Sequence, residues 1–241
     1  MVSSESVAVL CSGGLDSAIL CVELSARFAR VFPIHIRFGL RWEQAESESL
    51  QTFFKAVNRP AIQAVKTLHE PVAEIYGAHW STGNGPAPHA EDPDESVDLP
   101  GRNLLLISKG SLWCKWNEIK TLAMGTLASN PFPDSSEAFV EGLVETINRG
   151  IPGDFRVIRP FAELRKAEVL ERGWGLPLEL TMSCLTPHHG RHCGLCNKCG
   201  ERRNGFRESG QTDRTLYVEN PPNRVDRVGL PAKRHRPIAN P

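Results

Sequence analysis

The sequence lacks both a long hydrophobic run and an excess of charge of either sign. No stretch of its 241 residues approaches the run of about 18 apolar residues that a membrane-spanning helix needs. The N-terminus also has no basic stretch followed by an apolar region and a cleavage site. Lys and Arg together number 28, as do Asp and Glu, so the formal net charge is zero. We therefore expect a cytoplasmic protein with no membrane partner and no direct nucleic-acid partner, since a general positive field is missing.

The chain also lacks an even set of cysteines. It has seven, and four of them lie between residues 184 and 199, which argues against a disulfide framework. With 241 residues, 40% of them apolar, the chain is long enough to bury one large core. The composition therefore predicts one main folded domain, and the clustered cysteines are interpreted first as metal ligands.

Apolar strand patterns alternate with helical patterns along the chain. Predicted strands cover residues 7–11, 31–36, 61–65, 118–125 and 156–158, and predicted helices cover residues 16–30, 42–57, 102–116, 135–149 and 163–172. Residues 79–99 are rich in Gly, Pro, His and acidic residues without periodicity, which predicts a loop. This order is typical of an α/β fold with an open parallel sheet.

A glycine pair follows the first predicted strand directly, within the string S-G-G-L-D-S of residues 12–17. Adjacent glycines permit backbone angles closed to other residues, so that successive N–H groups at a helix N-terminus can face an anion. Asp16 would repel a phosphate unless it caps the helix or meets the phosphate through Mg²⁺. The alternative is a glycine-rich turn before a capped helix. The complete string after an apolar strand favours a phosphate-binding loop that differs from the Walker A loop.

The clustered cysteines are Cys184, Cys193, Cys196 and Cys199, with the spacing C-x8-C-x2-C-x2-C. Four thiolates on one glycine-containing loop can close a tetrahedral shell around Zn²⁺, and a shell without an open position is structural. An iron–sulfur cluster is an alternative that the spacing leaves open. The remaining cysteines lie in apolar runs and are interpreted as small buried hydrophobic residues: Cys11, Cys21 and Cys114.

Several further strings occur in a fixed order with these two motifs. The complete set is Ser12–Ser17, P-G-R-N-L-L within residues 99–105, Pro160-Phe161, Lys166-Ala167-Glu168, T-M-S-C at residues 181–184 and H-C-G-L-C-N-K-C at residues 192–199. Together they resemble the 7-cyano-7-deazaguanine synthase family of PP-loop ATP enzymes over about residues 7–206. The resemblance implies a Rossmann-like PP-loop domain of the adenine nucleotide alpha hydrolase type over residues 1–180 and a small zinc-binding helical part over residues 181–218. The prolines and basic residues near the C-terminal end predict a basic, proline-rich tail over residues 219–241.

This resemblance implies an ATP-dependent carbon–nitrogen ligase of queuosine-type deazapurine biosynthesis. ATP would activate the carboxylate of 7-carboxy-7-deazaguanine, ammonia would give the amide, and a second activation would dehydrate the amide to 7-cyano-7-deazaguanine. Mg²⁺ and Zn²⁺ would be the cofactors beside ATP, with a homodimer as a candidate assembly. The implied catalytic residues are Lys166, Asp16 and Ser17, and the implied nucleotide-binding residues are Ser12, Gly13, Gly14, Leu15, Asp16, Ser17, Gly101, Arg102, Asn103 and Gly125.

Arg102 also stands out without the resemblance. It opens an otherwise apolar predicted helix, at the positive end of the helix dipole where Arg is disfavoured. An anionic partner would explain it, whereas the alternative is a plain surface arginine. Arg41, after the second predicted strand, is a further candidate for contact with the nucleotide.

Residues 126–135 depart from the family pattern D-x-S-G-Y-P-D-C. The chain keeps Phe132-Pro133-Asp134, has Ser135 in the place of the cysteine, and lacks the first Asp and the Ser-Gly pair. Two variants follow: an enzyme that stops at the amide, or one that joins the activated acid to another amine. A tRNA sulfurtransferase is a further alternative, which would need Cys11 or Cys114 as its thiol. A zinc-bearing module that senses a nucleotide without turning it over is the alternative outside enzymes.

Overall fold

Five parallel strands form the sheet of the part of the chain that the structure describes. The computed structural model describes residues 3–83 and 85–220. The strands are β1 Ser3–Leu10, β2 Phe28–Arg37, β3 Lys66–His69, β4 Thr121–Ala123 and β5 Arg156–Ile158. Their order is β3-β2-β1-β4-β5, and every neighbouring pair is parallel. The predicted α/β fold with an open parallel sheet is confirmed.

Helices cover both faces of this sheet. They are α1 Leu15–Leu24, α2 Glu43–Val57, α3 Ala73–Tyr76, α4 Arg102–Trp116, α5 Glu137–Gly150, α6 Lys166–Arg172 and α7 Asn197–Ser209. Short 3₁₀ segments cover Asp94–Val97, Pro133–Ser135 and Leu178–Leu180. Within the described residues, no helix has the length and apolar character that a bilayer-spanning segment needs.

The central strand β1 explains the two-layered core, because alternate side chains of a strand point to opposite faces. Val7 and Val9 belong to a core that includes α1 and α6, whereas Ala8 and Leu10 belong to a second core that includes α4. Val7, Ala8 and Val9 are each 0% exposed. A strand buried on both faces reads as a continuous apolar run, which is how it was recognisable in the sequence.

Three predicted boundaries are wrong, and the reasons are tertiary. The helix predicted over residues 16–30 ends at Leu24, and Phe28 begins β2. Phe28 continues the helical spacing of Leu20 and Leu24, but its backbone pairs instead with Ser3 of β1 in the parallel sheet. The strand predicted over residues 61–65 lies at Lys66–His69 instead. Of that predicted range, Ile62 makes only an isolated bridge to β2.

Other boundaries differ by a few residues. The strand predicted over residues 118–125 is shortened to β4, and the helix predicted over residues 163–172 begins at Lys166. The helix over residues 102–116 and the strand over residues 156–158 agree with the prediction. The proposed domain boundaries at residues 180 and 218 stay predictions, and the tail from residue 221 onward lies outside the described residues.

Candidate active site

The S-G-G-L-D-S string forms the turn between β1 and α1. Gly13 has φ +93°, and a Cβ atom there would lie 2.9 Å from the Cβ atom of Glu46 on α2. Glycine is thus required both by the backbone angle and by the close approach of α2. Gly14 is the N-cap of α1, and no side chain of the described residues caps the helix. Because the first amides of α1 have no side-chain acceptor, they are available to an anion.

Asp16 and Ser17 have partners other than a helix cap. Ser17 Oγ donates to Gly14 O at 3.3 Å. Both Asp16 carboxylate oxygens accept from Lys166 Nζ, at 2.6 and 2.9 Å. A charge-neutralised Asp16 no longer repels a phosphate from the loop, which answers the objection that its sequence position raised. Carboxylate oxygens are also the ligands that Mg²⁺ prefers, so Asp16 fits the Mg²⁺ that the sequence analysis predicts.

Lys166 lies in a network that joins α1, α6 and α7. Its ammonium contacts Asp16 and also Glu201 Oε1 at 2.8 Å, and Glu201 Oε2 contacts Lys198 at 2.7 Å. Burial alone would lower the pKa of Lys166, but the carboxylates of Asp16 and Glu201 outweigh it and raise the pKa. Burial alone would raise the pKa of Glu201, but the two lysines outweigh it and lower the pKa to about 2. The network therefore holds a permanent ammonium beside the loop.

Two chambers meet at this network. The strand-end chamber has a volume of about 250 Å³ and lies at the carboxyl ends of β1, β2 and β4, where Ile34, Ile36, Leu106, Met124 and Gly125 line it. The tryptophan chamber has a volume of about 280 Å³ and is lined by Trp42, Glu46, Trp80, Met182 and Leu185 among others. Both chambers share a wall that includes Ser12, Asp16, Arg102, Asn103, Lys166 and Glu201. In an open α/β sheet this edge is where ligands bind.

Arg102 is the first residue of α4 and lines both chambers. Its Nε atom is buried and has no hydrogen-bond partner among the described residues. The guanidinium lies over the Phe38 ring, 5.6 Å from the centroid. A buried guanidinium N–H without an acceptor is costly, so this geometry supports the anionic ligand that the sequence position suggested. Gly101, directly before it, is the N-cap of α4 and has φ +78°.

Asn103 ties α4 to the segment that departs from the family pattern. Its backbone N and its Nδ2 donate to the two carboxylate oxygens of Asp134, at 2.9 and 2.8 Å. Asn130 Oδ1 accepts from Phe132 N at 3.0 Å and from Ser135 Oγ at 2.9 Å. Asn130 and Phe132 line both chambers. Residues 126–135 therefore form part of the candidate site.

The four clustered cysteines converge in the fold. Their Sγ atoms all lie within 4.8 Å of one another, with Cys184 and Cys196 at 4.0 Å and Cys193 and Cys199 at 3.9 Å. A tetrahedral shell with Zn–S bonds of about 2.3 Å separates its sulfurs by about 3.8 Å. Backbone N–H groups also donate to these sulfurs, for example Cys193 N to Cys184 Sγ at 3.1 Å. The geometry is that of a closed metal-binding cluster.

His192 lies beside this cluster without joining it. Ser183 N donates to its Nε2 at 3.1 Å. Burial, together with the charge of Arg202, lowers the pKa of His192 to about 3. The imidazole is therefore neutral and serves as a hydrogen-bond acceptor that joins two parts of the cysteine loop.

Comparison with known proteins decides the family. The family model for the queuosine biosynthesis protein QueC matches residues 6–210. The chain belongs to the QueC family. A 7-cyano-7-deazaguanine synthase 1 from Desulfitobacterium hafniense (strain Y51) is 29% identical over 200 residues, which cover 81% of this chain and 89% of that protein. A 7-cyano-7-deazaguanine synthase from Methanothrix thermoacetophila is 27% identical over 223 residues, covering 86% of this chain and 96% of that protein.

Among solved structures, the U34-tRNA thiolase NcsA from Methanococcus maripaludis with its [4Fe-4S] cluster is 15% identical. The superposition has a TM-score of 0.47 and covers 88% of this chain and 74% of the thiolase chain. The five-stranded parallel sheet and the QueC family match establish the fold of this chain without that likeness.

The structure of this QueC-family chain brings the predicted phosphate loop, Lys166, Arg102 and Asn103 to one wall. Leu15, the first residue of α1, is 2% exposed and lines the tryptophan chamber, while Gly125 packs against the backbone of residues 16–17. Arg41 does not line either chamber. It donates instead to Gly85 O and Leu185 O, at 2.6 and 3.2 Å.

Sequence reasoning missed Glu201, Lys198 and Glu46. Glu201 follows the last cysteine by two residues and lies on α7, a helix for which the sequence analysis gave no range. A possible signal was the metal cluster itself, because a rigid metal-binding loop at the start of α7 orients the residues that follow it. Glu46 gave no such signal, since acidic residues are common on an amphipathic helix.

Proposed function

We propose that this QueC-family member activates the carboxylate of 7-carboxy-7-deazaguanine with ATP and joins it to ammonia. The observation that carries the proposal is the position of the uncapped S-G-G-L-D-S loop and of Lys166 on the wall between two chambers. Two substrates can then meet at the phosphate-binding loop, one from each side. The family match and the names of the relatives support the same conclusion.

The chemistry proceeds by adenylation. A carboxylate oxygen attacks the α-phosphorus of ATP, and the bond to pyrophosphate breaks. Ammonia then attacks the carbonyl carbon, AMP leaves with the carboxyl oxygen, and a proton is lost to give the amide. In a second round the amide oxygen attacks the α-phosphorus of another ATP, and the bond to pyrophosphate breaks again. Loss of the N–H protons and of AMP then gives the nitrile, 7-cyano-7-deazaguanine.

This chain's residues bind and polarise the reactants. The apolar walls of the strand-end chamber suit a nucleoside, and the free amides of α1 suit the phosphates. Lys166 offers a point charge where the phosphate develops negative charge during displacement. Asp16 would hold Mg²⁺, which supplies charge neutralisation to the phosphates. Arg102 would bind an anionic group with its unpartnered Nε–H.

Zinc is the metal that we propose for the cysteine cluster. Four thiolates at tetrahedral spacing leave no open position, so the metal would stabilise the fold rather than react. Metal analysis is expected to find about one Zn per chain, and a visible iron–sulfur absorption band would contradict this proposal. The cytoplasmic location, the absence of a nucleic-acid partner and the homodimer stay predictions from the sequence.

The direct test is pyrophosphate release on mixing the protein with ATP, Mg²⁺, 7-carboxy-7-deazaguanine and ammonium. We expect pyrophosphate and AMP, and a product with the mass of 7-cyano-7-deazaguanine. If neither this acid nor related acids give pyrophosphate, the adenylation proposal is wrong. Intact ATP in the presence of tight nucleotide binding would favour the sensing module instead.

A second candidate function is a related ligase that stops at the amide or uses another amine. The altered segment 126–135 favours it, because Asn130 and Phe132 line both chambers. The product mass with a panel of acids and amines shows whether the product is the nitrile, the amide or a conjugate with another amine. The tRNA sulfurtransferase is less well supported: the Cys114 thiol is fully buried, which raises its pKa to about 12, and Cys11 is 4% exposed with its sulfur 3.3 Å from that of Cys21.

A further inference from the structure

Two buried carboxyl groups lie one turn apart on α2, and they differ in their partners. Glu43 is 1% exposed and accepts hydrogen bonds from the backbone N–H groups of Phe38 and of Gly39, the latter at 3.0 Å. Its oxygen also lies 3.7 Å from Arg37 Nε. These contacts fold the turn after β2 and explain why a carboxylate is buried there. Glu43 is therefore a structural residue.

Glu46 has no comparable explanation. It is 6% exposed, and no hydrogen bond or ion pair of its carboxyl group is found within the described residues. Burial raises the pKa of Glu46 well above its ordinary value, although the charge of Arg102 lowers it in part and that of Glu43 adds to the rise. A largely buried carboxyl that makes no hydrogen bond with the described residues costs free energy in the folded protein. Such a group is expected where a ligand uses it.

The surroundings of Glu46 define the kind of ligand. It lines the tryptophan chamber together with Trp42 and Trp80, whose rings are stacked with centroids 5.6 Å apart and planes at 22°. Aromatic walls suit a flat ring, and Glu46 adds two acceptor oxygens. Two acceptors on one carboxylate match two adjacent donors, such as a ring N–H and an exocyclic amino group. Arg102 and Lys166 lie on the wall that this chamber shares with the nucleotide side.

We propose that Glu46 selects the acid substrate by accepting hydrogen bonds from a ring N–H and an adjacent exocyclic amino group of a planar heteroaromatic ring. The inference deepens the proposed function and rests on it for the identity of the acid. The carboxylate on the ring would face the shared wall, where Arg102, Lys166 and the phosphate loop lie.

Asp98 is the rival for this role, because it lines the same chamber. Its carboxyl already accepts from the backbone N–H of Leu99, which weakens the case for it. Glu46 is also in contact with the phosphate loop through Gly13, so a ring held by Glu46 would lie close to the reacting phosphate. The two residues can be separated by parallel Glu46→Gln and Asp98→Asn variants.

The first experiment needs only the unaltered protein and two acids. We compare kcat/KM, from pyrophosphate release, for 7-carboxy-7-deazaguanine and for its analogue without the 2-amino group. Because a hydrogen bond to a charged acceptor is lost, the analogue is expected to react about tenfold to a hundredfold less well. The preference should grow as the pH rises through the titration of Glu46, since only the carboxylate accepts both bonds. Equal turnover of the two acids at all pH values would overturn the proposal.

The variants then assign the preference to a residue. Glu46→Gln offers only one acceptor and should lose most of the discrimination, with a raised KM for the acid and an unchanged KM for ATP. Glu48→Gln, an exposed residue on the same helix, is the matched control and should behave as the unaltered protein. The thermal midpoint of each variant is measured first. A discrimination that survives Glu46→Gln and disappears in Asp98→Asn, or an effect on the Mg²⁺ requirement alone, would contradict the role of Glu46.

Equilibrium binding separates this inference from the proposed function. Calorimetry with 7-deazaguanine and 7-deazahypoxanthine, which carry no carboxylate, measures recognition of the ring without turnover. Preference for 7-deazaguanine that depends on Glu46, with no pyrophosphate from any acid, would leave the inference standing and the proposed function wrong. Pyrophosphate release without any preference between the rings, in binding or in turnover, would support the proposed function and contradict the role of Glu46. If Glu46→Gln fails to fold, the analogue and pH series on the unaltered protein decide.

Discussion

The phosphate loop and the cysteine cluster are both short glycine-containing loops, yet their polar atoms are used differently. In the cluster, the thiols face one another and accept backbone N–H groups, so the ligand set is closed. In the phosphate loop, the first amides of α1 have no side-chain acceptor, and the wall beside them opens to two chambers. A ligand set in which every position is filled by the protein stabilises the fold, whereas hydrogen-bond donors without a protein acceptor are available to a ligand from solution. Helix α7 joins the two, because it carries both Cys199 and Glu201.

The largest effect is expected when the cluster is broken. Cys196→Ser removes one of the four sulfurs and leaves a buried, incomplete shell. We expect the free energy of unfolding to fall by more than about 3 kcal/mol, with loss of the bound metal, because metal binding contributes directly to folding. Chemical denaturation with metal analysis measures both. The exposed variant Glu48→Gln is a control, and an unchanged unfolding midpoint together with full metal content would contradict a structural cluster.

Lys166→Met tests the open loop without touching the cluster. We expect adenylation, measured as pyrophosphate release, to fall by about a hundredfold or more, since a charge aimed at the developing phosphate is lost. The metal content should stay the same. Lys109→Met removes a surface lysine that pairs with Glu70, and it should leave turnover unchanged. Turnover retained in Lys166→Met would mean that the ammonium serves only to hold Asp16 and Glu201 in place.

The two glycines of the loop should respond differently to the same change. Gly13→Ala places a Cβ atom 2.9 Å from that of Glu46 at a φ of +93°, so we expect a loss of about 2–4 kcal/mol in stability. Gly14→Ala meets only ordinary contacts, the nearest at 3.5 Å to Ser12 Oγ, and should cost less than about 1 kcal/mol. Thermal or chemical denaturation of both variants measures the difference. Equal destabilisation would show that the approach of α2 does not constrain the loop.

The smallest effect is expected at the junction of the two regions. The pKa of Glu201 is lowered from 4.5 to about 2, so its ion pairs stabilise the folded protein above about pH 4.5. This contribution is lost as the pH falls from about 4.5 towards 2. Glu201→Gln should therefore lower the free energy of unfolding by about 1–2 kcal/mol at pH 7. The variant should also lose less stability than the unaltered protein as the pH falls from about 4.5 towards 2. The pH dependence of the unfolding midpoint tests this, and parallel curves for variant and unaltered protein would contradict it.

The elements that could be predicted are those in which burial follows a short-range pattern. The run of Val7–Leu10 and the spacing of apolar residues in α4 are visible without any partner. The C-terminal part of the helix predicted over residues 16–30 could not be corrected, because Phe28 fits a helix by spacing and a strand by pairing with β1. Local periodicity does not reveal which of two satisfactory hydrogen-bond patterns the rest of the molecule completes.

The candidate site divides in the same way. The four cysteines are a local motif whose chemistry depends on spacing, and their convergence was predicted correctly, whereas the phosphate-binding role of Ser12–Ser17 stays a prediction. Glu201 and Glu46 were not, because their partners are distant in sequence: Glu201 meets Lys166 from α6, and Glu46 packs against Gly13 from another loop. Acidic residues carry a specific meaning only when burial and neighbours are known.

The sequence by itself determined the parallel α/β fold, the glycine-pair turn between β1 and α1 and the set of four clustered cysteines. Each of these depends on residue type and short-range order, such as a buried apolar run, a glycine pair or thiols at close spacing. Only the tertiary structure decided that Asp16 is neutralised by Lys166 and that Glu43 accepts two backbone N–H groups, whereas no hydrogen bond of Glu46 is found among the described residues. The physical reason is that charge and solvation at a site depend on distances across the fold, and those distances arise when separate segments pack together.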